Sequence, residues 1–134
     1  MGLEARVGDW RDKQMANLLV IDDDPAVREA VSQSLAASGY SVVQAEDGVV
    51  GIAQLSHNDV DLVLVDIVMP RKEGIETIQE IRLARPSLKI VAMSGCPFRD
   101  LYLSVACKLG ADAVLTKPFE TAELRDTVKA LLAN

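Results

Sequence analysis

Residues 61–66 read Asp-Leu-Val-Leu-Val-Asp, and this stretch decides the fold. Four consecutive apolar residues between two aspartates are typical of a β-strand that is buried on both faces, as in a parallel sheet covered by helices. Asp66 then stands at the carboxyl end of the strand, on the edge of an open α/β sheet where ligands bind. An aspartate that merely begins a loop is the plain alternative, so a role for Asp66 depends on the rest of the chain.

Apolar runs of strand length alternate with segments of helical periodicity from residue 18 to the end of the chain, which predicts an α/β protein of (βα)5 type with a parallel sheet. The predicted strands are Leu18 to Ile21, Ser41 to Gln44, Leu62 to Val65, Ile90 to Met93 and Ala113 to Leu115. The predicted core faces of the helices comprise Val27, Val31 and Leu35; Ile52 and Leu55; Ile75, Ile78 and Ile81; Leu101 and Val105; and Leu124, Val128 and Leu131.

Turn and capping residues support this division of the chain. Asp24 followed by Pro25 is the pattern of an N-cap with proline at the first helical position. Gly39 and Gly110 stand where the first and fourth helices are expected to end. Residues 1–16 are polar and lack clear periodicity, so we expect an N-terminal arm there and one domain over residues 17–134.

The composition argues against several classes of protein. With 20 acidic and 14 basic residues the net charge is -6, and the absence of a dense basic patch argues against direct nucleic-acid binding. The apolar runs fall well short of the ~20 residues that a membrane span needs, so no membrane segment is expected. Cys96 and Cys107 form no CxxC pair, and a reducing cytoplasm is the expected location.

Polar residues of complementary kinds follow four of the predicted strands. The carboxyl ends of parallel strands meet at one edge of the sheet, where converging carboxylates repel one another unless a cation neutralises them. Hard oxygen ligands favour Mg²⁺, and a nearby hydroxyl and ammonium group suit a phosphoryl group. The sequence therefore predicts phosphoryl transfer to a carboxylate nucleophile. The residues concerned are Asp22, Asp23 and Asp24; Asp66; Ser94; and Thr116, Lys117 and Pro118.

Four motifs at these strand ends resemble the receiver domains of two-component response regulators. They are LLVIDDDP (18–25), DLVLVDIVMPRKEGIE (61–76), IVAMSG (90–95) and GADAVLTKPF (110–119), and the resemblance extends over residues 17–133. Each motif alone is weak, whereas all four in family order are specific. The resemblance implies a flavodoxin-like sandwich with a five-stranded parallel sheet in the order 2-1-3-4-5.

The resemblance also assigns roles to the residues of the acidic motifs. Asp66 corresponds to the phosphoacceptor, and Asp22 and Asp23 to the acidic pair that holds Mg²⁺ together with Asp66. The backbone carbonyl of Val68 corresponds to a further metal ligand. Asp24 falls outside the family's acidic pair.

The later motifs match the family in two positions and depart from it in one. Ser94 corresponds to the hydroxyl that moves onto the phosphoryl group, and Lys117 to the cation that pairs with it. The Lys117–Pro118 bond corresponds to the family's cis peptide. Val114 stands where receivers often carry an aromatic residue that reports the switch, so this reporter is missing.

The function implied is a phosphorylation-dependent switch rather than a turnover enzyme. A histidine kinase or a histidine phosphotransfer protein would donate the phosphoryl group, and a downstream protein target, or a second copy in a homodimer, would read the result. Two alternatives stay open. A haloacid-dehalogenase-like phosphatase would use the DxD pair of Asp22 and Asp24, although Ala26 stands where that family has Thr or Val. A docking module independent of phosphorylation is the other.

Overall fold

A computed structural model of the chain describes residues 16–67, 73–95 and 99–133. Within these ranges five strands alternate with five helices, which confirms the predicted (βα)5 pattern. The strands are β1 (Asn17–Ile21), β2 (Ser41–Ala45), β3 (Leu62–Asp66), β4 (Lys89–Ser94) and β5 (Ala113–Thr116). The helices are α1 (Pro25–Ala37), α2 (Gly48–His57), α3 (Glu73–Ala84), α4 (Arg99–Leu109) and α5 (Thr121–Leu132).

The strands form one parallel sheet in the order β2-β1-β3-β4-β5, as the resemblance implied. Strand β3 lies in the middle and pairs with β1 on one side and β4 on the other. All of its residues are buried. The central position explains the unbroken apolar run, because neither face of this strand reaches solvent.

Two apolar clusters pack on opposite faces of the sheet. Leu62 and Leu64 of β3 join side chains of α1 and α5 in one cluster, whereas Val63 and Val65 join side chains of α2, α3 and α4 in the other. Successive residues of a strand point to opposite faces, so β3 contributes to both. Full burial of each such side chain is worth about 1.5–3 kcal/mol relative to exposure. The two clusters together hold the strand ends in a fixed arrangement.

The helix ends follow the local chemistry of the sequence. The Asp24 carboxylate accepts hydrogen bonds from the backbone N–H of Ala26 (3.0 Å) and of Val27 (3.4 Å), so Asp24 is the N-cap of α1 and Pro25 its first residue. Gly39 and Gly110 follow α1 and α4 with φ of 99° and 120°. Only glycine adopts these angles without strain, which is why both helices end there.

The structure differs from the predictions in two details. All five strands are longer than predicted: β1 begins at Asn17, β2 ends at Ala45, β3 at Asp66 and β5 at Thr116, and β4 runs from Lys89 to Ser94. Asp66 pairs with Met93 on the neighbouring strand, so the parallel ladder continues beyond the apolar run of β3. The predicted core face of α4 was wrong at Val105, which is only half-buried, since the smaller Ala106 faces the sheet and is completely buried.

Some predictions fall on residues that the structure does not describe. The expected N-terminal arm lies outside the described residues except for Ala16, and so does the side chain of Leu101. Among the helices of the described ranges, none combines the length and apolarity that a membrane crossing requires.

Candidate functional site

Three aspartates converge at the carboxyl edge of the sheet. Among the described residues, carboxylate oxygens of Asp22, Asp23 and Asp66 lie within 4.8 Å of one another. Asp22 is completely buried and Asp66 is 6% exposed, whereas Asp23 faces solvent. Buried carboxylates are unfavourable without a compensating positive charge or hydrogen bonds. This arrangement therefore requires cations or hydrogen-bond donors close to the buried carboxylates.

Lys117 supplies one positive charge to the site. Its Nζ lies 2.7 Å from Asp22 Oδ2 and 3.5 Å from Asp66 Oδ2. Burial lowers the pKa of the Lys117 ammonium, but the hydrogen bond to Asp22 and the charges of Asp66 and Asp22 outweigh burial and raise this pKa above its usual value. Lys117 therefore stays protonated at neutral pH and bridges the two buried carboxylates.

The backbone around Lys117 fixes the position of this side chain. The Lys117 N–H donates to the carbonyl oxygen of Ser94 (2.8 Å), which joins the loop after β5 to the end of β4. The Lys117–Pro118 peptide bond is cis, as the resemblance implied. A Cβ atom on Gly95 would lie 2.7 Å from the Lys117 Cβ, so glycine is needed for the two loops to approach this closely.

Replacing Lys117 with methionine is expected to lower the free energy of unfolding by about 2 kcal/mol without divalent cations, because the change leaves buried carboxylates without their cation. Urea denaturation in EDTA measures the effect. Lys129→Met, at an exposed position on α5, serves as the control and should leave stability within about 0.5 kcal/mol of the wild type. Equal stability of Lys117→Met and the wild type would contradict the structural role of this ion pair.

The carboxylate of Asp22 is held on both of its oxygens. Oδ1 accepts a hydrogen bond from the Asp24 N–H (2.9 Å), and Oδ2 accepts one from Lys117 Nζ. The Asp24 carboxylate, in contrast, caps α1 and does not join the acidic group. A phosphatase of the DxD type would need Asp22 and Asp24 to act together, so this alternative is not favoured.

Ser94 and Val68 complete the set of predicted site residues. Ser94 is completely buried and ends β4, one residue beyond the partner of Asp66 in the ladder. Val68 lies outside the described residues. The structure thus brings Asp22, Asp23, Asp66 and Lys117 together and sets Ser94 on the adjacent strand end.

An open cleft of about 520 Å³ gives access to the site. The cleft is lined by Asp66 and Lys117, by apolar residues of α1, and by Pro118 and Phe119. A cleft of this size admits more than a phosphoryl group. Asp66 is thus reached from solvent through this cleft.

Sequence reasoning missed Arg28, which donates from Nη1 to the carbonyl oxygen of Asp22 (2.8 Å). A cation at the end of the first turn of α1 is disfavoured by the helix dipole, whose N-terminus is positive. This mismatch was the available signal that Arg28 has a partner outside its own helix.

Comparison with known proteins supports the interpretation. The family model of the response regulator receiver domain matches residues 18–129. The response regulator MprA of Mycobacterium sp. (strain KMS) is 39% identical over 117 residues, which are 86% of this chain and 50% of the relative. MprA of Mycobacterium avium (strain 104) is 38% identical over the same shares. The chain thus spans about half the length of the curated relatives that it matches.

Solved structures show the same architecture. A CheY-like response regulator receiver domain protein from Methanospirillum hungatei JF-1 superposes with a TM-score of 0.82 at 28% identity, covering 89% of this chain and 94% of that one. The receiver domain of NtrX from Brucella abortus gives a TM-score of 0.83 at 27% identity, with 87% and 98% covered. From the matching family model, the relatives and the shared fold it follows that the chain belongs to the response regulator receiver domains.

Proposed function

We propose that this receiver domain is switched by a phosphoryl group on Asp66. The observation that carries the proposal is the position of Asp66 at the end of the central strand, grouped with Asp22 and Asp23 and 3.5 Å from the ammonium of Lys117. A carboxylate nucleophile, further acidic ligands and a cation are the parts that phosphoryl transfer to aspartate requires.

The acidic group fits a divalent cation. Asp22, Asp23 and Asp66 offer hard oxygen atoms within 4.8 Å of one another, and Mg²⁺ prefers such ligands while keeping positions for water and phosphate oxygens. The carbonyl of Val68 is proposed as a further ligand. When bound, Mg²⁺ would neutralise charge on the phosphoryl oxygens.

Asp66, Lys117 and Ser94 each have a separate role in the transfer of the phosphoryl group. An oxygen of Asp66 forms a bond to phosphorus while the bond between phosphorus and the donor's imidazole nitrogen breaks, and the nitrogen leaves with its electron pair. Lys117 keeps its proton and pairs with a phosphoryl oxygen. The hydroxyl of Ser94 donates a hydrogen bond to another such oxygen. Charge spreads over these oxygens in the transition state, so both donors stabilise it.

The partners follow from this chemistry. The donor is a histidine kinase or a histidine phosphotransfer protein, and the product is read by a downstream protein target or by a second copy of the chain. The domain transfers one phosphoryl group to itself and is not a turnover enzyme, and we place it in the cytoplasm. Val114, 37% exposed on β5, takes the place of the reporter aromatic. The change at Asp66 is therefore expected to reach partners through Ser94 and β4.

Incubation with acetyl phosphate and Mg²⁺ tests the proposal without a cognate kinase. We expect the intact protein to gain the mass of one phosphoryl group, and hydroxylamine to remove it, because acyl phosphates react with this nucleophile. Removal of Mg²⁺ with EDTA is expected to slow the reaction at least about 100-fold, because three carboxylates then repel the incoming phosphate.

The same experiment distinguishes the alternatives. A docking module would gain no phosphate under any of these conditions. A phosphatase would release inorganic phosphate catalytically, and its activity would depend on Asp22 while Asp66 remained dispensable. Either result would contradict the proposed switch.

A further inference from the structure

The side chain of Arg28 connects three elements of the fold. From α1 its Nη1 donates to the carbonyl oxygen of Asp22 (2.8 Å), at the end of β1, and its Nε donates to Oε1 of Gln44 (3.2 Å), on β2. Hydrogen bonds of this kind, with a charged donor, are about twice as strong as neutral ones. Arg28 is half-buried, so the two contacts compete less with water than at the surface.

Arg28 binds the carbonyl oxygen of the peptide bond between Asp22 and Asp23. The preceding Asp22 N–H donates to the carbonyl of Ala45 (3.2 Å). The orientation of the peptide between Asp22 and Asp23 sets the backbone angle at Asp23 and therefore the direction in which the exposed Asp23 carboxylate points. The contact thus acts on the geometry of the acidic pair without touching either carboxylate.

A polar chain fixes the orientation of the guanidinium itself. Gln44 accepts from Arg28 and donates through Nε2 to Oε2 of Glu29 (3.1 Å), while Oε1 of Glu29 accepts from Gln33 (3.0 Å). Because the Gln44 amide is both acceptor and donor, each member of the chain has a defined partner. The chain links the edge strand and α1 to the peptide between the acidic residues.

We infer that Arg28, oriented by Gln44, is a positioning residue for the Mg²⁺ site: it holds the peptide between Asp22 and Asp23 so that both carboxylates face Asp66. The inference rests on the proposed function, because it presumes that these aspartates bind Mg²⁺. Residues that orient metal ligands without binding the metal typically contribute a factor of about 10 to 100 in metal affinity.

The decisive measurement is the dissociation constant of Mg²⁺, determined by isothermal titration calorimetry on the unphosphorylated wild type and on Arg28→Met. We expect the variant to bind Mg²⁺ about 10-fold more weakly. A role through charge alone predicts the opposite sign, because loss of a positive charge near the site removes repulsion of the ion. Equal or tighter binding by Arg28→Met would overturn the inference.

Arg85→Met is the matched control, because Arg85 also donates to a backbone carbonyl, that of Leu55 (2.7 Å), at the far end of α2. It should leave the Mg²⁺ affinity unchanged, and a loss equal to that of Arg28→Met would overturn the inference as a general effect of stability. Gln44→Met keeps the side-chain volume, removes the acceptor of Arg28 Nε, and is expected to weaken Mg²⁺ binding about 3-fold. This variant replaces Arg28→Met as the test if Arg28→Met does not fold. Wild-type Mg²⁺ affinity in Gln44→Met would count against the role of Arg28.

Two further variants distinguish the positioning role of Arg28 from the proposed Mg²⁺ site itself. Arg28→Lys keeps the charge but presents one ammonium in place of the fork, so weaker Mg²⁺ binding than in the wild type is expected, and wild-type affinity would overturn the positioning role. Asp22→Asn is expected to abolish binding. A wild type that does not bind Mg²⁺, or Asp22→Asn that binds as the wild type does, would overturn the metal site itself.

Discussion

Asp66→Asn is expected to abolish phosphorylation by acetyl phosphate, with no phosphorylated protein detected by intact-mass measurement under conditions that label the wild type to completion. The amide of asparagine has nearly the size of the carboxylate but lacks its nucleophilic oxygen, so it cannot form the acyl phosphate. The fold should survive, because the change removes one of three mutually repelling charges at the end of β3.

Asp24→Asn is the matched control for this experiment. The chemical change is the same and the position is close in sequence, but Asp24 caps α1 and lies outside the acidic group. Asparagine caps helices about as well as aspartate, so both the fold and the phosphorylation should persist. Labelling of Asp66→Asn at the wild-type rate, or loss of labelling in Asp24→Asn, would refute the assignment of Asp66 as the acceptor.

Gly74→Ala is expected to lower the free energy of unfolding by about 3 kcal/mol and to slow phosphorylation. A Cβ atom at this position of α3 would lie 2.7 Å from the carbonyl carbon of Ile67, and nearer still to Ile67 Cα and to the carbonyl oxygen of Asp66. These are backbone atoms at the end of β3, which cannot rotate aside as a side chain can. Urea denaturation and the rate of labelling by acetyl phosphate measure the two effects.

Gly51→Ala provides the comparison for Gly74→Ala. Gly51 is also a buried helical glycine, but the added methyl group would meet side-chain atoms of Ile21, Cδ1 and Cγ1, which can shift more readily than backbone atoms. Alanine also favours the helix by about 0.5–1 kcal/mol. We expect Gly51→Ala to cost at least about 1 kcal/mol less than Gly74→Ala. Equal costs would show that the backbone contact of α3 with β3 is not what limits position 74.

The fold was largely predictable because its strongest signals are local. The run from Leu62 to Val65 could be buried on both faces only in the middle of a covered sheet, and the structure places it there. The weak point was α4, where Leu101 and Val105 defined the helical face. The structure buries Ala106 completely and leaves Val105 half-buried, since the fit of a small residue against the sheet depends on the neighbouring layer rather than on periodicity.

Which strand ends carry the candidate site was also predictable, because parallel strands place their carboxyl ends on one edge. The contacts within the site were not. No sequence pattern predicts that the Lys117 ammonium lies closer to Asp22, at 2.7 Å, than to Asp66, at 3.5 Å. The position of Arg28 near the N-terminus of α1 indicated a partner outside the helix, but not which one, because a backbone acceptor leaves no trace in the identity of the residue that bears it.

The division of the helices between the two faces of the sheet has a consequence for the surroundings of Asp66. Helices α1 and α5 cover one face, and α2, α3 and α4 cover the other, while Asp66 ends the strand between them. Asp22 and Asp23 lie in the loop that leads into α1, and Lys117 lies in the loop that leads into α5. The layer of α1 and α5 therefore follows the loops that carry the charged neighbours of Asp66, whereas the opposite layer contributes apolar packing to β3.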